Sequence, residues 1–288
     1  MSTRRQILDS LADYLAFEID EGRATVECSP ELVVGLRVSR RASTRFVSAP
    51  RLAVSPRPAP TARPLTAPLA DTSPPPAPVE HVRRVRLPEE EVKTGLDAVA
   101  KKARACRLCD LHKERTQAVP GQGNPAPDIL FIGEAPGADE DEQGLAFVGA
   151  AGQLLTRMIV AMGYTRDEVF IANIAKCRPP KNRQPLPEEM AACLPYLKEQ
   201  IRLLAPKTIV ALGATAVKGL LNPDEGITKL RGKWRTFEGI PLMPTFHPAY
   251  LLRNPPAKHE VWADLRAVLT RLGRRPPPRT GGKEPQSS

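Results

Sequence analysis

Short apolar segments alternate with longer helical patterns between residues 92 and 273, and this alternation limits the folds open to the chain. Four six-residue segments have the composition of buried strands, namely DILFIG, VFIANI, TIVALG and PLMPTF. A loop and then a helical pattern follow each of them, as in PEEMAACLPYLKEQIRLLA at 187–205. Strands that alternate with helices predict parallel βαβ units. We therefore expect an α/β fold, a three-layer sandwich with a central four-stranded parallel sheet.

Polar side chains follow three of these segments, at the edge where parallel sheets bind ligands. Glu134 begins the turn GEAPGADEDE, Asn173 closes the second strand in ANIAKC, and His247 lies in PTFHPAYLLRN. Neither a Walker loop nor a G-x-G-x-x-G loop is present in the first turn. Taken singly, each residue has an ordinary structural explanation, such as a capped turn or a histidine satisfied by the backbone. Their shared position makes the carboxyl edge of the sheet the candidate site.

The two ends of the chain differ in composition from this central part. Residues 3–20 carry a capping box and an apolar stripe, which predict an amphipathic helix within a region spanning 1–35. Residues 36–90 are rich in proline and arginine and poor in large apolar residues, which predicts a disordered linker. A folded domain at 91–274 and a disordered tail at 275–288 follow. The helix either docks on the folded domain or binds a partner protein, and the sequence leaves both open.

The net charge is +10, from 42 lysines and arginines against 32 acidic residues. A basic excess of this size suits a polyanion, with nucleic acid the leading candidate, although a solvated basic surface is the alternative. The opening residues lack an apolar core after their arginines, and no long uncharged apolar run follows. We therefore expect neither a signal peptide nor a membrane span. A soluble intracellular protein is the expectation, in which clustered cysteines bind metal more often than they form disulfides.

The cysteines of the central part form two unlike pairs. Cys106 and Cys109 belong to CRLC, whereas Cys177 and Cys193 have fifteen residues between them and join a basic loop to a helix. Cys28 stands alone near the start. Four thiolates suit tetrahedral zinc or an iron–sulfur cluster. The wide second spacing favours a cluster, with zinc and inert core cysteines as alternatives. A cluster there would hold RPPKNR, with Arg178, Lys181 and Arg183, as a platform for phosphates.

Several motifs occur together in one order: CRLC, GEAPG with ED at 140–141, FVGAAGQLL, NIAKCRPPKNRQPLPEE, Cys193 and FHPAYLLRN. This set resembles the type 4, iron–sulfur-containing uracil-DNA glycosylases over roughly residues 95–270. The covalently DNA-trapping relatives carry a basic insertion ending in His, which is absent here, and type 5 relatives lack the equivalent of Glu134. One departure is Ala146, where many relatives have the proline of PFVG; it predicts a looser loop beneath the base.

The resemblance implies a uracil-DNA glycosylase-like fold, a [4Fe–4S] cluster and excision of uracil from single- or double-stranded DNA. It implies catalytic roles for His247 and Glu134. The implied uracil contacts are Ala135, Glu140, Phe147 and Asn173. The expected DNA contacts are Arg178, Lys181, Arg183, Leu251, Leu252 and Arg253. The implied cluster ligands are Cys106, Cys109, Cys177 and Cys193. We further expect a monomer that acts on DNA in the cytoplasm, at the nucleoid.

Overall fold

The structure is a computed structural model that describes residues 86–277. The predicted N-terminal helix, nearly all of the predicted linker and most of the predicted tail lie outside these residues. The described helices are α1 Glu89–Ala105, α2 Ala138–Gln143, α3 Ala150–Ala161, α4 Pro187–Leu204, α5 Gly213–Leu221, α6 Ile227–Leu230, α7 Pro248–Arg253 and α8 Lys258–Arg271. The described strands are β1 Gln122–Gly123, β2 Ile129–Gly133, β3 Phe170–Asn173, β4 Thr208–Leu212, β5 Arg235–Phe237 and β6 Ile240–Thr245.

The six described strands form one mixed sheet in the order β1-β3-β2-β4-β6-β5. The four predicted strands are confirmed, because β3, β2, β4 and β6 are neighbours and pair in parallel. Two edge strands were not predicted, and both pair antiparallel with their neighbours. With two and three residues respectively, β1 and β5 are too short to show an alternating pattern in the sequence.

Helices cover both faces of the sheet, which confirms the three-layer sandwich. Along β2, Ile129 and Phe131 join the apolar cluster that contains residues of α3, α7 and α8. Leu130 and Ile132 join the opposite cluster, with residues of α4 and α5. All four side chains are fully buried, as expected for a parallel strand covered on both sides. None of the helices in residues 86–277 combines the length and apolar character that a span across a bilayer requires.

The carboxyl ends of the parallel strands lie at one edge of the sheet. Gly133 of β2 is opposite Asn173 of β3, and Leu212 of β4 is opposite Thr245 of β6. The long helix that follows β2 packs on one face, and the helix that follows β3 packs on the other. Diverging connections of this kind open a crevice at the carboxyl edge, where α/β proteins bind their ligands.

Candidate functional site

A cleft of about 680 Å³ opens at this edge of the sheet. It brings together the residues that the sequence analysis assigned to catalysis and to uracil, together with two of the six predicted DNA contacts, Arg183 and Arg253. The residues of the first two groups that line the cleft are Glu134, Ala135, Glu140, Phe147, Asn173 and His247. Segments that are more than one hundred residues apart in the chain therefore share one cavity.

His247 occupies the N-cap of α7, directly before Pro248 at the first helical position. Its Nδ1 accepts a hydrogen bond from the main-chain N–H of Ala249, at 3.1 Å. A ring nitrogen that accepts such a bond carries no proton, so the proton of the neutral imidazole lies on Nε2. The fold thus fixes the tautomer and leaves Nε2–H as a donor.

The pKa of His247 is lowered from 6.5 to about 4, chiefly by burial. The positive charge of Arg253 contributes to this shift, and the negative charge of Glu140 opposes it. Since the shifted value lies well below neutrality, His247 is an uncharged imidazole at pH 7.

Gly213, the first residue of α5, permits the approach of His247 to the end of β4. Its φ is +88°, in the region that glycine adopts most readily, and a Cβ built on it would lie 2.9 Å from the Cβ of His247. A side chain at Gly213 would therefore displace the histidine.

Asn173 and Phe147 meet across Gly133. Asn173 is 1% exposed, and its Oδ1 has no hydrogen-bond partner among the described residues. A Cβ built on Gly133 would lie 2.5 Å from this oxygen and would also collide with the ring of Phe147. The Phe147 ring lies 5.6 Å from the His247 ring, tilted by 34°. An amide, a benzyl ring and an imidazole thus surround one space, with an unpaired acceptor on its wall.

Glu140 holds the loop that carries Phe147. Its Oε1 accepts hydrogen bonds from the N–H groups of Val148 and Gly149, both at 2.9 Å, and its Oε2 accepts one from Gly137 at 3.0 Å. This clamp lies next to Phe147, whose φ of 55° is unusual for a residue with a side chain. Glu140 lines the cleft as expected, and its predicted contact with the C5 side of uracil stays a prediction.

Both main-chain groups of Ala146 are hydrogen-bonded, and its predicted loosening relative to a proline at this position stays a prediction. Its N–H donates to Oε1 of Gln122 at 3.1 Å, and its carbonyl accepts from Arg166. The Ala146 side chain is also fully buried. A proline at this position could not donate the bond to Gln122, because it has no main-chain N–H.

Glu134 directly follows β2, and its side chain is partly exposed in the cleft. Its main-chain carbonyl accepts a hydrogen bond from Ala175 N–H at 3.0 Å. This bond joins the turn after β2 to the loop after β3 and holds the main chain from which the Glu134 side chain projects.

The three cations of RPPKNR do not form the uniform platform that the sequence suggests. Arg183 makes a bidentate ion pair with Glu189, at 2.7 and 2.8 Å, and Glu189 is only 3% exposed. Arg178 donates to the Asn182 side chain at 2.7 Å, and Lys181 is exposed. The guanidinium of Arg183 is thus paired and secures the start of α4, and its predicted contact with phosphate stays a prediction.

The segment after His247 divides between core and surface. Leu251 is 1% exposed and belongs to the apolar cluster on one face of the sheet, so its side chain is not accessible to DNA. Leu252 and Tyr250 are 44% and 37% exposed, and Arg253 is exposed at the cleft. A surface contact from this segment therefore falls to Leu252, Tyr250 and Arg253.

The four cysteines of the central part line one small cavity between α1, the loop after β3 and α4. Within residues 86–277, no three His, Cys, Asp or Glu side chains are grouped so that they could hold a single metal ion. The thiols surround the cavity from separate elements instead of meeting at one point. The residues that line the cavity with them are Ala103, Leu108, Lys176, Ala192 and Tyr196.

N–H groups point at the cysteine sulfurs. Arg115 donates to Cys177 Sγ at 2.8 Å, and the main-chain N–H of Lys176 donates to Cys193 Sγ at 3.1 Å. Hydrogen bonds to sulfur are a feature of iron–sulfur sites, where they stabilise the thiolates. The donor set, four thiols with N–H partners around a cavity, fits a cluster of this kind.

Lys176 is a residue that the sequence analysis missed. It is 1% exposed, and no carboxylate among the described residues lies within ion-pair distance of it. Its ammonium group donates to the main-chain carbonyl of Asn173 and to Oε1 of Gln200. In the sequence, Lys176 lies between a buried strand and a cysteine. A lysine in this position cannot be distinguished from an ordinary exposed lysine after a strand.

Comparison with known proteins agrees with this geometry. The sequence profile described as "Uracil DNA glycosylase superfamily" matches residues 120–266. Type-4 uracil-DNA glycosylases from Saccharolobus solfataricus, Archaeoglobus fulgidus and Thermotoga maritima are 45%, 40% and 47% identical to the chain. The matches cover 63%, 64% and 55% of this chain and 88%, 96% and 84% of those proteins, respectively. The chain belongs to the uracil DNA glycosylase superfamily and, within it, to the type-4 uracil-DNA glycosylases.

Proposed function

We propose that the protein is a DNA glycosylase that removes uracil from DNA and so begins base excision repair. Water adds to C1′ of the deoxyuridine while the C1′–N1 bond breaks. The bonding electrons leave with uracil, which takes up a proton, and an abasic site remains. The observation that carries the proposal is the meeting of Phe147, Asn173 and His247 in one cleft of a chain that belongs to this family.

Recognition of the base rests on Phe147 and Asn173. A base must leave the duplex to enter the cleft, at a cost of a few kcal/mol. Stacking on an aromatic ring such as Phe147 returns about 1–3 kcal/mol. The unpaired Oδ1 of Asn173 would accept from uracil N3–H, and the amide nitrogen would donate to O4. Cytosine presents the opposite pattern at these two atoms, so a fixed amide rejects it.

His247 would act as a neutral electrophile. Negative charge develops on uracil O2 as the bond to the sugar breaks, and a preorganised donor stabilises that charge. The bond from Ala249 leaves Nε2–H free for this role. Since the pKa of His247 is about 4, the ring donates a hydrogen bond but does not transfer its proton.

Glu134 and Ala135 line the same cleft, and we assign them to the side that would hold the sugar. The cationic character of the sugar in the transition state favours a nearby carboxylate, which can also orient the attacking water. The main-chain bond from Ala175 keeps Glu134 at the end of β2. We assign Glu134 the role of stabilising the sugar or positioning water.

DNA contacts are assigned to side chains around the mouth of the cleft. Arg178, Lys181 and Arg253 would bind phosphates. Leu252 or Tyr250 would fill the space that the flipped base leaves. Every residue of this proposed site comes from one chain, so a monomer suffices. A DNA substrate places the protein's action in the cytoplasm, at the nucleoid.

We also propose that Cys106, Cys109, Cys177 and Cys193 hold a [4Fe–4S] cluster. When bound, the cluster would supply iron–sulfur bonds that tie α1 to the loop after β3 and to α4. The N–H groups of Arg115 and Lys176 would stabilise the thiolates. The proposed reaction needs no electron transfer, so the role assigned to the cluster is structural.

Base release from synthetic oligonucleotides tests the function. The purified protein should release uracil from single- and double-stranded substrates without added metal or nucleotide, leaving alkali-labile sites. Matched oligonucleotides with cytosine or thymine in the same place should stay intact. Failure to produce alkali-labile sites at stoichiometric protein would overturn the proposal.

A further inference from the structure

One short segment, from Asn173 to Cys177, joins the two proposed sites. Asn173 lies in the cleft, and Cys177 lies at the cysteine cavity. Lys176, between them, contributes to both. Its main-chain N–H donates to Cys193 Sγ at 3.1 Å, and its Nζ donates to the Asn173 carbonyl at 3.0 Å.

A second acceptor anchors the buried ammonium group from the opposite side. Nζ of Lys176 donates to Gln200 Oε1 at 2.7 Å, and Gln200 Nε2 donates to the Pro120 carbonyl at 2.8 Å. The carbonyl of Lys176 accepts from Val119 N–H at 2.7 Å. Lysine, α4 and the segment before β2 thus form one buried hydrogen-bonded network.

The charge balance of this network depends on the cysteine site. A buried cation is costly without a counter-charge, and the oxygens that Lys176 contacts are both neutral. Four thiolates bound to a cluster would supply negative charge beside it. Occupancy of the cysteine site would therefore stabilise the ammonium group in the position from which it contacts Asn173.

The effect on Asn173 follows from its own contacts. Its Oδ1 has no partner among the described residues, so no protein donor to that oxygen fixes the direction of the amide. The side chain projects from the end of β3, where pairing with β2 and the bond from Lys176 to the Asn173 carbonyl both hold the main chain. We propose that Lys176 is a positioning residue that couples the cysteine site to the uracil-reading amide, an inference that rests on the proposed function.

Lys176→Met tests this coupling, because methionine keeps most of the length of the side chain, removes its charge and its donors, and leaves the main-chain N–H to Cys193 in place. The variant should be inhibited by free uracil about tenfold less effectively than the wild type. The same variant should also lose its visible absorbance to an iron chelator several times faster. Lys176→Arg keeps the cation and should recover part of both properties. Lys218→Met, on the exposed face of α5, is the matched control and should behave as the wild type.

The outcomes separate this inference from the function. A wild-type protein that releases no uracil contradicts the function itself. A wild type that releases uracil, with a Lys176→Met variant unchanged in either uracil inhibition or chelator sensitivity, overturns the coupling. Binding to undamaged DNA should be equal in both proteins, since a general loss of structure would weaken it. If Lys176→Met does not fold, Gln200→Leu tests the coupling instead, because it removes one acceptor of the ammonium group. In this variant inhibition by free uracil should weaken and the loss of absorbance to the chelator should be faster, and a change in only one of them overturns the coupling.

Discussion

The main-chain N–H of Ala249 donates to Nδ1 of His247, and this single bond determines which ring nitrogen carries the proton. The residue that makes the bond lies only two positions further along, in the first turn of α7. Pro248, between them, starts the helix and has no N–H to compete for the ring. The proposed catalytic donor is thus positioned by local sequence, and the burial around the ring keeps it neutral.

Replacing His247 with alanine should slow excision with little effect on DNA binding. Loss of one preorganised donor lowers the rate by about 10²–10³. Single-turnover measurements at saturating uracil-containing DNA give the rate of the chemical step. A binding assay with undamaged DNA gives the dissociation constant. His259→Ala is the control, because His259 is exposed on α8. Equal rates for His247→Ala and the wild type would reject the assigned role.

The activity should show no inflection from His247 between pH 5 and pH 8. The pKa of this residue is about 4, so the imidazole is neutral throughout that range. A histidine of ordinary pKa, about 6.5, would instead change the single-turnover rate in the middle of it. The pH–rate profile of the chemical step checks this, and a His-like inflection near pH 6.5 that disappears in His247→Ala would contradict it.

The same shift has a consequence for stability. The unfolded chain takes up a proton on His247 below about pH 6.5, whereas the folded protein stays neutral down to about pH 4. Wherever the unfolded state binds more protons than the folded state, the free energy of unfolding falls as the pH falls. His247 therefore lowers the free energy of unfolding as the pH drops through this window. Urea titrations should therefore show a smaller loss of stability in His247→Ala than in the wild type between these two pH values.

Gly133→Ala should damage the uracil pocket more than the fold. The new methyl group would collide with the Phe147 ring and with the Asn173 amide oxygen, both of which form the pocket. We expect inhibition by free uracil to weaken about tenfold or more, because misplaced partners leave buried polar atoms unpaired. Gly226→Ala is the control, since a Cβ there has no heavy atom within 4 Å. Comparable uracil affinity in the two variants would show that the contacts around Gly133 can relax.

The parallel strands and the residues at their ends were predictable from the sequence, because buried strands give continuous apolar runs and the polar residues after them stand out. The partners of those residues were not. The ion pair of Arg183 with Glu189 depends on how the loop meets α4, which the sequence does not show. The burial of Leu251, a predicted DNA contact, depends on how α7 packs on the core. Lys176 gave no signal because its acceptors, a carbonyl and a glutamine, come together only in the fold.

Cys193→Ser should release the metal while the wild-type chain carries it. A [4Fe–4S] cluster predicts about four iron atoms per chain and a brown protein, because the cluster contains four irons and absorbs visible light. Zinc bound by four cysteines predicts about one zinc atom and no colour. Elemental analysis of protein purified without added metal decides between them. Cys28→Ser, outside the predicted ligand set, serves as the control and should keep its iron.

Deleting residues 1–85 should weaken DNA binding without slowing the chemical step. Ten arginines and only two acidic residues lie between positions 36 and 88, and most of them are lost in this truncation. Contacts between arginines and phosphates release counterions, so their loss should be greatest at low salt and should reduce the salt dependence of the dissociation constant. The cleft residues all lie after position 130, and the single-turnover rate at saturating DNA should therefore match that of the full chain.

Titrations of both proteins with DNA at several salt concentrations measure the weakening of DNA binding. If the salt dependence of the dissociation constant is unchanged, the arginines do not contact DNA. If the rate of the chemical step falls strongly, the N-terminal region is needed for catalysis.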